Sequence, residues 1–159
     1  MRRRDATTAD LEVVASWICS QRECELWAGS GVRFPPEPDA LAVQIDLANA
    51  ASICLFEEQG LAAFGQLLFR TPKRVHLARV IVRPDVRGRG IGRSLVQELL
   101  SRAAESGSLL VTLNAYRDNA AAIALYGDLG FRRAERLEDD PPSSGTWFMT
   151  RSIEPLAPG

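Results

Sequence analysis

The sequence predicts a mixed α+β fold, a twisted and mostly antiparallel sheet of about seven strands with four helices on its two faces. Apolar residues alternate in some segments and recur at helical spacing in others, in the order β-α-α-β-β-β-α-β-α-β-β. That order defines a mixed, mainly antiparallel sheet. No internal repeat and no linker divides the 159 residues, so one domain is expected over 1–159.

Residues 2–6 read as a leading strand. Thr7 or Thr8 caps a first helix, favoured by Asp10 and Glu12 in its opening turn, with Leu11, Val14, Ala15 and Ile18 on one stripe to about Ser20. Gly29 to Pro38 is a loop, and Pro38 opens a second helix that buries Leu41, Ile45 and Ala48. Ser52–Glu57 and Leu61–Phe69 form a hairpin around Glu58-Gln59-Gly60. Val75–Val82 is a further strand. A Gly/Arg loop at 87–93 then enters a helix whose stripe is Leu95, Val96, Leu99, Leu100 and Ala103, closed by Gly107. Leu109–Leu113 reads as a central apolar strand. Asp118 or Asn119 caps a fourth helix to Leu129, stopped by Gly130, and Phe131–Leu137 and Thr146–Ile153 supply the last strands.

Composition narrows the function classes. Nineteen basic against 20 acidic residues give a net charge of −1, which argues against a dedicated nucleic-acid binder. One histidine and three cysteines (Cys19, Cys24, Cys54) without ligand spacing argue against a zinc site. The opening Met-Arg-Arg-Arg-Asp leads into no apolar run, and no window approaches the ~20 apolar residues of a membrane span. A cytosolic, reduced protein is expected.

The chemistry concentrates in Arg83-Pro-Asp-Val-Arg87-Gly88-Arg89-Gly90-Ile91-Gly92-Arg93, between a strand and an amphipathic helix. Glycines there let backbone N–H groups converge, and the helix N-terminus adds its dipole, which together make an anion cradle suited to phosphates. The loop is not a P-loop, since Gly-Lys-Ser/Thr is missing. Nor is it a dinucleotide fingerprint, since position 93 is Arg and the parallel β-α-β context is lacking. What it meets is Arg/Gln-x-x-Gly-x-Gly/Ala, through Arg87, Gly90 and Gly92. Downstream, Asn119-Ala-Ala-Ala-Ile-Ala-Leu125-Tyr126-Gly-Asp-Leu-Gly130-Phe131 meets Asn-x-x-Ala-x-x-Leu-Tyr-x-x-x-Gly-Phe. Taken singly, each feature has a plainer reading: a tight turn, a helix cap, a core tyrosine. Together, in this order and at this separation, they resemble the GNAT superfamily of acetyl-CoA-dependent N-acetyltransferases, most sharply over 77–131.

The resemblance implies a fold and a set of roles. Residues Arg87, Gly88, Arg89, Gly90, Ile91, Gly92 and Arg93 would hold the pyrophosphate of acetyl-CoA. Backbone groups of Val80, Ile81 and Val82 would pair with the pantetheine arm where two parallel strands splay, one of their amides polarising the thioester carbonyl. Asn119 matches the position that contacts the cofactor arm, and Tyr126 the position that protonates the leaving thiolate. Members that acetylate protein N-termini often carry Glu where this chain has Asn114, which cannot act as a base. Other members place a Glu base eleven residues ahead of the loop motif, and that position is His76.

Trp17, Trp27, Phe34 and Trp147 are candidate acceptor-site lining, with core packing as the plainer reading of each. Glu23, Glu25, Glu37 and Glu138-Asp139-Asp140 are candidate attractors for a cationic amine, with solvated loops as the plainer reading. The expected partners are acetyl-CoA and an amine acceptor, without nucleic acid, membrane or metal, and with a homodimer left open. The alternatives are a catalytically silent acyl-CoA-binding sensor or scaffold domain, or a protein N-terminal acetyltransferase.

Overall fold

The computed structural model describes residues 1–154. Strands β1 (Arg2–Asp5), β2 (Ala51–Glu57), β3 (Gly60–Thr71), β4 (Arg74–Val82), β5 (Leu110–Tyr116), β6 (Arg132–Arg133) and β7 (Thr146–Ser152) form one seven-stranded sheet in the order β1-β2-β3-β4-β5-β7-β6. The β4–β5 ladder is parallel, while β1–β2, β2–β3, β5–β7 and β6–β7 are antiparallel. Helices α1 (Thr8–Ser16), α2 (Gln21–Ala28), α3 (Pro38–Gln44), α4 (Ile91–Glu105) and α5 (Ala120–Asp128) complete the described residues, with a short 3-10 turn at Pro84–Val86. None of these helices is long and apolar enough to cross a membrane. The mixed, mostly antiparallel sheet agrees with the sequence; the helix count does not, since the described residues hold five where four are expected.

The chain forms two compact units, Met1–Leu68 with Leu77–Leu99, and Phe69–His76 with the residues from Leu100 onward. In the first unit, Leu11 and Val14 of α1, Cys24 and Trp27 of α2, Leu41 of α3, and Phe64 of β3 belong to one buried apolar cluster. The extra helix is α2. Its start is written as Ser20-x-x-Glu23: the Ser20 hydroxyl accepts from the Glu23 N–H at 3.1 Å, and the Glu23 carboxylate accepts from the Cys19 N–H at 2.7 Å. That new start also ends α1 at Ser16, earlier than its apolar stripe suggests. Helix α3 stops at Gln44 because Asp46 takes a left-handed φ of 51° and the Leu47 N–H turns back to the Ala42 carbonyl at 2.9 Å, which leaves Ala48 exposed. Gly65 lets α4 approach β3 closely, since a Cβ there would lie 2.9 Å from Leu99 and 3.1 Å from Leu95.

The opening of α1 carries an ion pair between exposed Arg4 and buried Asp10. Arg4 donates to both Asp10 oxygens at 2.7 and 2.9 Å, and the Thr7 N–H donates to Asp10 at 2.8 Å. Burial works to raise the Asp10 carboxyl, but these hydrogen bonds outweigh it and hold the group below its ordinary value. The stabilisation is therefore complete above the ~3.9 of an unfolded Asp and disappears as pH falls through the lower folded value. Asp10→Ala is expected to cost about 1–3 kcal/mol at pH 7 in urea denaturation, with the difference from the native chain shrinking as pH falls below the unfolded value and through the lower folded one.

In the second unit β5 is the central strand, paired with the start of β4 on one side and with β7 along its whole length on the other. Gly107, with φ +84°, closes α4 as expected, and Gly130, with φ +91°, follows α5. The strand expected over Phe131–Leu137 shrinks to Arg132–Arg133. After one more bond, from the Ala134 N–H to the Phe148 carbonyl, the backbone is captured by side chains: the Leu137 N–H donates to Asp140 at 3.1 Å and Arg136 donates to the Pro141 carbonyl.

Candidate functional site

Strand β4 hands over to the Gly/Arg loop through a locked corner. The Arg83 N–H donates to the Ala62 carbonyl at 2.8 Å, its guanidinium to the Leu61 carbonyl at 2.8 Å and to Asp85 at 2.6 Å. Buried Val86 plugs the corner from the inside. The chain then turns through Gly88 and Gly90, whose φ values of +80° and +83° L side chains rarely adopt. A Cβ at either glycine would meet no atom within 4 Å, so both positions border open space. Buried Ile91 anchors the start of α4, where the Ser94 N–H donates to the Gly90 carbonyl at 3.1 Å. The preceding amides of Ile91 and Gly92 have no carbonyl one turn back within the helix and face out from its N-terminus.

Arg87, Arg89 and Arg93 surround this cradle with positive charge, and all are exposed. Arg87 uses its Nε on the Val82 carbonyl at 3.0 Å, which draws its side chain back toward the strand. Converging amides, a helix dipole and guanidinium groups fit a diphosphate. They would hold the phosphates of a CoA thioester by charge and backbone hydrogen bonds.

Ahead of the loop, β4 is interrupted by Arg79, whose φ of +54° is left-handed. Trp27 Nε1 donates to the Arg79 carbonyl at 2.9 Å, and the Arg79 guanidinium donates to Gln66 Oε1 at 2.9 Å. Gln66 is itself fully buried and donates to the Ile45 carbonyl and to Ser52. The bend that precedes Val80, Ile81 and Val82 is thus held at both its carbonyl and its side chain. This gives Trp27 a structural task. Trp17 is core as well, with Phe34 packed against the same cluster.

In the second unit, β4 and β5 pair in parallel at Arg74–Leu110, Val75–Val111 and His76–Thr112. His76 is 7% exposed. Its Nδ1 lies 2.7 Å from Thr112 Oγ1 and its Nε2 3.4 Å from Asn114 Nδ2. Arg136 donates to Asn114 Oδ1 at 2.9 Å. Neither Thr112 nor Arg136 stood out in the sequence, since strand register, which joins them to His76, has no local signature.

Asn119 is the N-cap of α5, its side chain accepting from the Ala122 N–H at 3.2 Å. Tyr126 lies one helical stretch further on, 8% exposed, with Phe131 edge-on at 5.8 Å. Burial pushes its phenol up to about 12. Two guanidiniums lie over the Trp147 ring, Arg117 at 4.0 Å and Arg133 at 3.3 Å from its centre. Several of the acids proposed to attract an amine are engaged locally: Glu23 in the α2 cap, Glu25 with Arg22, and Asp139 with Arg74 at 2.7 Å.

A β-α sheet with a glycine cradle at the head of α4 and an Asn-capped helix bearing a buried tyrosine defines the acetyltransferase class of fold. The profile of the acetyltransferase (GNAT) family matches residues 16–131, and the chain belongs to that family. It is 47% identical over 64 residues to the N-alpha-acetyltransferase MAK3 of Arabidopsis thaliana, a stretch that covers 40% of this chain and 34% of that protein. The crystal structure of the ribosomal-protein-S18-alanine N-acetyltransferase from Escherichia coli superposes with a TM-score of 0.71 at 26% identity, over 98% of this chain and 96% of that one. The fold is also that of a phosphinothricin acetyltransferase from Sinorhizobium meliloti solved with AcCoA, with a TM-score of 0.74 at 23% identity over 96% of this chain and 88% of that one. The chain spans less than half the length of the curated relatives it matches first.

Proposed function

We propose that this chain is an acetyl-CoA-dependent N-acetyltransferase that moves an acetyl group to a primary amine by direct attack on the thioester. The carrying observation is the open glycine cradle at the start of α4, inside the span that matches the family. In this reading Arg87, Gly88, Arg89, Gly90, Ile91, Gly92 and Arg93 hold the pyrophosphate, and backbone groups of Val80, Ile81 and Val82 align the pantetheine arm. One of those amides polarises the carbonyl. Asn119 contacts the arm with the amide nitrogen that its capping role leaves over.

His76 takes a proton from the acceptor ammonium at Nε2. The amine nitrogen then attacks the carbonyl carbon, the C–S bond breaks as Tyr126 gives its proton to the departing thiolate, and the second proton of the acylated nitrogen passes through solvent to restore the Tyr126 phenol. A free thiol titrates near ~8.5, well below a phenol raised to about 12. A thiolate released into equally apolar surroundings is raised by the same burial, which brings donor and acceptor back toward a match.

Incubating the chain with acetyl-CoA and a panel of amines tests the proposal. Free CoA thiol released in step with acetylated amine is the expected result. Binding of acetyl-CoA with no thiol release from any amine would instead support a silent acyl-CoA sensor. A protein N-terminus as the acceptor is a second reading, favoured by the similarity to MAK3 and to the S18-alanine enzyme. Against it stands Asn114, an amide bonded to Arg136 and unable to take a proton. N-terminal peptides in the same panel decide between small and peptide acceptors.

The base has its own test. In the native chain kcat/KM should rise with pH as the imidazole becomes neutral, and His76→Gln should remove that limb while acetyl-CoA binding persists. A limb that follows the pKa of two different amines and survives His76→Gln belongs to the amine, and the base is then water.

A further inference from the structure

We infer that Arg136 is a positioning residue for His76: through the Asn114 amide it selects the histidine tautomer that carries hydrogen on Nδ1 and a lone pair on Nε2. The inference rests on the reading of His76 as the base. A guanidinium has only donors. Because Arg136 lies 2.9 Å from Asn114 Oδ1, the amide must present its oxygen to Arg136 and its NH2 to His76. That NH2 also only donates, so His76 Nε2, 3.4 Å away, is the acceptor. The ring proton is then on Nδ1, where it donates to Thr112 Oγ1 at 2.7 Å. Every link donates in the same direction, from Arg136 through Asn114 and His76 to Thr112.

Turning the amide over would set its NH2 against the guanidinium, and Arg136 is not free to move aside. It also donates to the Pro141 carbonyl at 3.1 Å and to Thr146 Oγ1 at 3.4 Å, and its guanidinium lies 5.2 Å from the Phe148 ring centre. Strand register supplies the rest. Thr112 is paired with His76 across β4 and β5, and Asn114 with Phe148 across β5 and β7.

The chemical result is that the ring, when neutral, keeps its lone pair on Nε2. That lone pair is the one the Asn114 NH2 touches at 3.4 Å, so this long contact gives way when Nε2 takes a proton from an acceptor ammonium. Charged groups near this row include Arg136 itself and Arg74, two residues before His76 on β4, which is paired with Asp139 at 2.7 Å and Asp140 at 3.8 Å.

The chain has a single histidine, so long-range proton–nitrogen correlation spectra of ¹⁵N-labelled protein report this ring alone. At a pH where the ring is neutral, the free native protein should give the Nδ1–H pattern. Arg136→Met should convert part or all of the signal to the Nε2–H form, because the amide oxygen is then released toward the ring. Arg136→Lys, which still only donates, should restore the native pattern. Asn114→Asp places an acceptor beside Nε2 and should move the proton there even with Arg136 present. In Arg136→Met, kcat/KM should fall about ten- to a hundred-fold, as for other partners that orient a histidine, and recover in Arg136→Lys. A native Nε2–H pattern, or a pattern unmoved in both Arg136→Met and Asn114→Asp, overturns the inference. Unchanged kcat/KM in Arg136→Met overturns the positioning role. The spectra need neither acetyl-CoA nor amine, so failure of the acetyltransferase reading would appear separately, as absent thiol release by the native chain.

Discussion

Replacing Tyr126 with phenylalanine is expected to lower kcat by ~10²–10⁴ while acetyl-CoA affinity stays close to that of the native chain. The substitution removes one oxygen and leaves the ring, which packs edge-on against Phe131 at 5.8 Å, in place. Loss confined to kcat is the signature of a group that acts only as the C–S bond breaks. Burial raises the Tyr126 phenol to about 12. Its proton-bearing form is therefore fully populated below that value and is lost only as pH rises through it. The native profile should accordingly have no falling limb from this residue up to about pH 10, where an unperturbed tyrosine would already be half ionised. Stopped or steady-state thiol release across that range measures both effects. Full activity in Tyr126→Phe would move proton delivery to water and leave Tyr126 as a core residue of α5.

How far the site was legible depends on whether its parts are local. The cradle of Arg87–Arg93 was readable because glycine, arginine and a following helix are adjacent in sequence, and Gly88 and Gly90 do take the left-handed conformations that only such residues adopt freely. Asn119 was readable as a cap for the same reason. The partners of His76 were not. Thr112 lies 36 residues away and is brought beside it by strand register, which a single sequence does not encode in any short pattern. Trp27 and Arg79 likewise meet across 52 residues, so nothing local marks the indole as the hydrogen-bond donor that fixes a bend in β4.

Local signals also failed where two competed. The apolar stripe Leu11, Val14, Ala15 and Ile18 favours a helix to Ser20, but Ser20 and Glu23 cap a second helix and require the chain to leave the first. Burial of Ile18 survives this break, because the residue joins the same apolar cluster from a turn as it would from a helix. Periodicity identified the right core residue and the wrong element. At α3 the stripe through Ile45 was continued to Ala48, whereas Asp46, tolerant of a left-handed φ, ends the helix one turn sooner.

Gly90→Val is expected to weaken acetyl-CoA binding by about a hundredfold, the loss of one to two charge-assisted hydrogen bonds to phosphate. Two effects combine in that variant. A branched side chain at φ +83° is strained, and it enters space where nothing lies within 4 Å of a Cβ, beside the helix N-terminus proposed to hold the diphosphate. The two are separable because the chain supplies its own control. Gly107 has φ +84°, and a Cβ there also meets nothing within 4 Å, but it closes the C-terminal end of α4, away from the amides that open the helix. Gly107→Val should therefore carry a comparable backbone strain, seen as a lowered denaturation midpoint, with acetyl-CoA affinity nearly unchanged. Calorimetric titration and urea denaturation of both variants read the two quantities independently. Equal loss of affinity in the two would assign the Gly90→Val effect to general destabilisation, whereas native affinity in a folded Gly90→Val protein would take the pyrophosphate out of this loop altogether.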